Sequence, residues 1–199
     1  MRPSRGDAAA LLVAAFDFDV FTAGHLLDRH LRHFGVLDTW DLLIRPAFDA
    51  IAARQAQGEN CIDVEHALSW TVTRSFQRYP IPTPEESAPI ILACTPHETH
   101  TLALEALRAA LVERGRDALM LGADVPRSAL MEAVERTGTP VATLLWSQTL
   151  DTADVATVND LAVRASVSVG GPGWDGVIAP LHAQRLKNLR AAVDFFAPN

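Results

Sequence analysis

The sequence predicts an α/β protein: an N-terminal four-helix bundle over residues 1–80, a proline-rich linker over 81–88, and a doubly wound, parallel, five-stranded α/β domain over 89–199. Three observations carry that prediction. The first eighty residues space their apolar side chains at helical intervals only. Pro80, Pro82 and Pro84 then crowd into PIPTPEES, which suits neither a helix interior nor a central strand. From Pro89 onward, short apolar runs alternate with helical patterns, the order that right-handed βαβ crossovers require.

In chain order, Ala8–Phe18 reads as a helix rather than a signal peptide, because Asp7, Asp17 and Asp19 flank the apolar run. His25–Phe34 carries Leu26, Leu27 and Leu31 at helical spacing. Asp38 is placed to cap a helix containing Trp40, Leu43, Phe48 and Ile51, and Asp63 to cap one reaching Tyr79. Gly35 and Gly58 punctuate these segments. In the second half, strands are expected at Pro89–Thr95, Ala118–Gly122, Val141–Ser147, Val167–Gly170 and Gly176–Ala179. Helices are expected at Thr99–Arg114, Arg127–Arg136, Ala153–Ala165 and His182–Phe196. Ile90, Ile91, Leu92 and Ala93 form the uninterrupted apolar run of a strand covered on both faces, and Gly115 suits the left-handed position that closes a helix.

Composition narrows the function. The chain has 199 residues, 49% of them hydrophobic, and no apolar run of membrane-spanning length. Only Cys61 and Cys94 occur, far apart, so no disulfide framework is expected and the predicted location is cytoplasmic. Net charge is −7 with Lys and Arg scattered, so the chain itself is not expected to bind nucleic acid. No Gly-x-Gly-x-x-Gly follows the first strand, and the Gly-rich stretch lacks the Gly-Lys-Ser/Thr ending of a phosphate loop. With no nucleophile elbow and no convincing acid/base pair of carboxylates, intrinsic catalysis is not expected.

The chemistry concentrates elsewhere. Glu98 and His100 follow the first strand, at the sheet edge where open α/β folds bind ligands. A neutral imidazole is a good metal ligand, and a nearby carboxylate can orient it. The plainer alternative is an inert loop histidine. A zinc site from His97 and His100 lacks a third ligand at convincing spacing. His66 and Trp70 are four apart, on a different helix face from Val64, Leu68, Val72 and Tyr79, and could serve as an interdomain surface. Ser147 and Thr149 end the third strand and Gly170 and Gly171 the fourth; each pair alone could be an ordinary strand terminus or loop.

The ordered series of motifs is more specific. Glu98-x-His100-x-x-Ala103 resembles the Glu/Asp-x-His-x-x-Gly motif of cobalamin-binding domains, in which the histidine replaces the cofactor's own benzimidazole as lower ligand of cobalt. Leu121–Pro126, Ser147-Gln148-Thr149 and Gly170–Gly173 resemble that family's later cofactor loops. Upstream, residues 46–66 are similar to the helical segment of light-sensing cobalamin-dependent regulators of the MerR class, the CarH/LitR type. That family shows Trp-x9-Glu-His; here Glu65-His66 is present, Gln55 stands where tryptophan is expected, and Ala103 where glycine is.

The resemblance implies a Rossmann-like cobalamin-binding domain capped by the helical bundle. Glu65, His66 and Trp70 would lie over the upper face of the cofactor, Glu98 and His100 below cobalt, and Ser147, Thr149, Gly170 and Gly171 beside the buried nucleotide tail. It implies a non-enzymatic sensor, probing light through a photolabile cobalt–carbon bond and controlling transcription. The helix-turn-helix of such regulators is absent from this sequence, so DNA binding would fall to a fused or partner element, and homo-oligomers are open. Two other readings compete: a corrinoid methyl carrier for a separate methyltransferase, and a domain that has kept the fold, lost cobalamin and works through protein contacts. The resemblance does not fix the upper ligand.

Overall fold

The computed structural model describes residues 5–78, 88–138, 140–177 and 182–197. The chain divides into two compact units, Met1–Pro80 and Ile81–Asn199. The expected linker lies, apart from Ala88, outside the described residues.

The first unit is helical. Helix α1 spans Arg5–Phe16, α2 Val20–Thr39, α3 Arg45–Ala56 and α4 Ile62–Gln77, with a π-helical segment, Trp40–Ile44, between α2 and α3. Asp19 caps α2 by accepting the Thr22 amide at 2.9 Å, so that helix starts earlier than His25. Asp38 does not begin a helix. The break falls instead at Gly35, whose φ of 76° and ψ of 178° leave the helical region, and the chain resumes helix through Asp38 into the π segment. Asp63 sits within the first turn of α4 and accepts the neighbouring Val64 amide at 2.9 Å, while Cys61 holds the cap position. The expected core face is correct for Val64, Leu68 and Val72, all buried; Tyr79 lies outside the described residues. Leu11, Leu27, Leu43, Ile44, Ile51 and Phe76 complete this core, each worth about 1.5–3 kcal/mol of transfer free energy.

The second unit is a five-stranded parallel sheet in the order β2-β1-β3-β4-β5, built from β1 Ile90–Cys94, β2 Leu119–Gly122, β3 Ala142–Trp146, β4 Ser166–Gly170 and β5 Ala183–Leu186. Helices α5 Leu102–Glu113, α6 Arg127–Thr137, α7 Val155–Leu161 and α8 Leu189–Phe196 complete it. One face of the sheet packs Ile91, Ala93, Leu145, Val167 and Val169 against Leu130 and Val134 of α6 and Val158 and Leu161 of α7. Side chains alternate along a strand, so Leu92, Leu144, Trp146, Ser168 and Gly170 face the other way, toward the layer of α5 and α8.

The fifth strand departs from expectation. Gly176 and Val177 lie in a turn, and the rest of the expected Gly176–Ala179 strand falls outside the described residues. The observed strand, AQRL, comes later and shortens the final helix, which Asn188 caps through the Ala191 amide at 2.8 Å. An edge strand paired on one side only, and half exposed, has no need of the apolar run used to find it.

Candidate functional site

The strand order reverses between β1 and β3, which places the loops after those strands side by side at the sheet's carboxyl edge. Glu98, from the loop after β1, bridges them. Its side chain is 1% exposed, and both oxygens are fully engaged. One accepts from the His100 amide at 2.8 Å and from the His100 ring at Nδ1 at 2.6 Å. The other accepts from the Gln148 amide at 2.7 Å and the Thr152 hydroxyl at 2.6 Å, across the switch point. Burial opposes ionisation of this carboxyl, but the Thr152 hydroxyl, the His100 and Gln148 amides and the His100 ring outweigh it and hold the group down at about 2. Glu98 is therefore a fixed anion.

That anion decides what His100 can do. With Nδ1 hydrogen-bonded to a carboxylate, which has no proton to give, the ring hydrogen sits on Nδ1 and the Nε2 lone pair is left available. The imidazole is 56% exposed, so Nε2 can reach a ligand. An oriented imidazole with its second nitrogen held by a carboxylate is the arrangement that suits a metal ligand. His97 is not part of it: its side chain is 89% exposed and 3.8 Å from the Asp124 carboxylate. Among the described residues, no group of three or more His, Cys, Asp or Glu could hold a metal ion. Cys94, at the end of β1, is fully buried; burial first, then the nearby Glu98 charge, push its thiol up to about 12, so it stays protonated and unreactive.

Ser147 and Thr149 do meet Gly170 and Gly171, but through the chain itself. The Ser147 amide donates to the Gly170 carbonyl at 3.0 Å, and the Gly173 amide donates to the Ser147 carbonyl at 3.0 Å. A Cβ at Gly171 would overlap the Ser147 carbonyl, and one at Gly173 the Thr149 carbonyl, so the glycines permit two loops to pack backbone to backbone. The buried Ser147 hydroxyl lies 2.8 Å from the Thr149 carbonyl and 2.7 Å from the Thr152 hydroxyl, and Thr149 reaches Thr152 at 3.2 Å. Thr152 is thus the junction of this loop with Glu98, and sequence reasoning missed it. Its position five residues after Ser147, in the loop facing Glu98, was the only available signal.

The other expected residues lie on α4 of the helical unit. Glu65 is half-buried and accepts from the Gln55 amide nitrogen at 3.0 Å, so the residue that departs from the expected tryptophan holds this carboxylate. His66 is exposed, and Trp70 is 67% exposed on the same side of the helix.

No protein-family model matches this chain, and no curated protein does. Solved structures do. A monomethylamine corrinoid protein from Methanosarcina barkeri is 14% identical, with 93% of this chain and 94% of that one covered, at a TM-score of 0.67. A cobalamin-binding protein from Desulfitobacterium hafniense DCB-2 is 18% identical over 94% of this chain and 96% of that one, at 0.46. The methanol:cobalamin methyltransferase complex of Methanosarcina barkeri aligns at 14% identity over 100% and 82%, at 0.47. The first match establishes a shared fold, a helical N-terminal region followed by a five-stranded parallel sheet with helices; the looser two add nothing to that.

Proposed function

We propose that this chain binds a cobalamin through His100 and acts as a corrinoid methyl carrier for a separate methyltransferase. The observation that carries the reading is His100: one ring nitrogen is fastened to a buried, ionised carboxylate and the other is free at an exposed position. Its fold, shared with a corrinoid protein, supports the same reading.

The residues present fit such a group. The His100 imidazole would supply one nitrogen ligand to the cobalt. On the sheet face toward α5 and α8, the buried Ser168 hydroxyl and Trp146 indole nitrogen have no protein partner among the described residues, and an inserted polar tail would satisfy them. Ser147, Thr149, Gly170 and Gly171 would then act indirectly, by fixing the loop that holds Glu98. Bound cobalamin supplies a cobalt centre able to accept and release a methyl group. The chain's own part is to present His100 Nε2, keep its hydrogen on Nδ1, and hold Glu98 charged so that the ring stays oriented. Cys94, locked as a thiol, and Glu98, fully engaged, are not placed to act as acid or base in methyl transfer.

A light sensor is the second reading, and it rests on the Glu65-His66 pair of the helical unit, whose Glu65 carboxylate accepts from Gln55. Two assays separate these. The carrier reading expects the methylcobalamin-loaded chain to yield its methyl group to a thiol only with a methyltransferase present, and to elute identically in dark and light. Elution that changes on complete photolysis would favour the sensor. Failure of the chain to retain any cobalamin would overturn both and leave a domain working through protein contacts.

A further inference from the structure

Two residues with left-handed backbones face each other across the mouth of the β1 and β2 loops. His97 has a φ of 67° and Asp124 a φ of 45°. Thr95 to Glu98 form a tight turn, closed by the Glu98 amide donating to the Thr95 carbonyl at 3.1 Å, with Pro96 second and His97 third. Positive φ at the third position is the signature of a type II turn, where glycine is favoured; a histidine there must be held by something else. Asp124 is that something. Its carboxylate accepts the His97 amide at 2.6 Å, and its own amide donates to the Glu98 carbonyl at 2.7 Å. The two bonds grip the His97–Glu98 dipeptide at its two ends, the His97 amide and the Glu98 carbonyl. They act two residues before His100, on the residue whose carboxylate orients the ring.

We propose that Asp124 is a positioning residue: it clips the His97–Glu98 peptide into the one conformation in which Glu98 can hold His100 by Nδ1 and so leave Nε2 free for a ligand. The proposal deepens the His100 reading above, yet concerns a property of the protein without cofactor. The acceptor oxygen matters, not the charge, so an amide at this position keeps the clip. Asparagine and glycine both tolerate a left-handed backbone, so Asp124→Asn and Asp124→Gly differ mainly in whether the acceptor survives.

The test is a long-range 1H–15N spectrum of the histidine rings in cofactor-free chain, recorded at a pH where the rings are neutral. Wild type and Asp124→Asn should show His100 in the Nδ1–H form alone, and Asp124→Gly should show it as a mixture of both tautomers. The same Nδ1–H form in Asp124→Gly, or a mixture in Asp124→Asn, would overturn the clip. Should the glycine variant fail to fold, amide exchange in wild type decides: the His97 amide must be protected despite its exposed side chain, and exchange at the open-chain rate would overturn the proposal equally. Cobalamin added to wild type reports separately. If none binds while the tautomer result holds, the clip stands and the cofactor reading fails; if cobalamin binds and the tautomer is insensitive to Asp124→Gly, the reverse is true.

Discussion

Each unit of this protein sets a glutamate beside a histidine, and the two pairs are built very differently. In the sheet unit, Glu98 is buried, its two oxygens take four hydrogen bonds from two loops, and two of them come from the histidine itself, through its amide and its ring. In the helical unit, Glu65 accepts one hydrogen bond from Gln55, and neighbouring His66 is exposed on the helix surface. The first pair fixes a ring; the second leaves one unconstrained. Preorganisation therefore belongs to the sheet unit, because loops converging at a switch point can surround a carboxylate, whereas adjacent residues of one helix, such as Glu65 and His66, do not face each other.

The comparison can be broken by removing each carboxylate. Glu98→Ala strands four donor groups on three residues and should cost about 3 kcal/mol or more in urea unfolding, against about 1 kcal/mol or less for Glu65→Ala; equal losses would erase the distinction. Acid sharpens it. The folded Glu98 carboxyl lies at about 2 against an ordinary 4.5, so the folded state binds fewer protons. Its stabilisation, on the order of 3 kcal/mol, is complete above the unfolded value and is lost as pH falls from 4.5 toward 2. Stability measured across that window should flatten in Glu98→Gln. Next in size, Thr152→Val removes one bond to the anion and should cost about 2 kcal/mol, with Thr152→Ser recovering most of it. Smallest is Gln55→Ala, expected below about 1 kcal/mol, since the Glu65 carboxylate it frees is only half-buried.

How much of this was legible in the sequence follows the same line. The apolar runs of β1 and β3 and the Gly115 turn were readable because burial on both sheet faces and a left-handed helix end each demand particular residue types. AQRL was not readable as β5, since an edge strand makes no such demand. The helix break at Gly35 was readable, but not that helix resumes directly after it and runs through Asp38 into a π-helical segment. At the site, Glu98 and His100 were visible as neighbours in sequence. Thr152, bonded to Glu98 across 54 positions, was not, and Asp124 was visible only as a member of the Leu121–Pro126 loop, not as the partner of His97 across 27, because nothing local marks which residue of another loop will be the partner. The glycines were found for their lack of a side chain, but what comes close to Gly171 is the protein's own Ser147 carbonyl.

The central claim is that His100 Nε2 ligates cobalt. The visible absorption spectrum of cobalamin-loaded wild type against His100→Ala tests it most directly. Wild type should give the spectrum of a nitrogen-ligated cobalamin and keep the cofactor through gel filtration; His100→Ala should shift toward the water-ligated spectrum and hold cobalamin about tenfold or more weakly, a loss of about 1.4 kcal/mol at least. Identical spectra and equal retention in the two proteins would contradict the account.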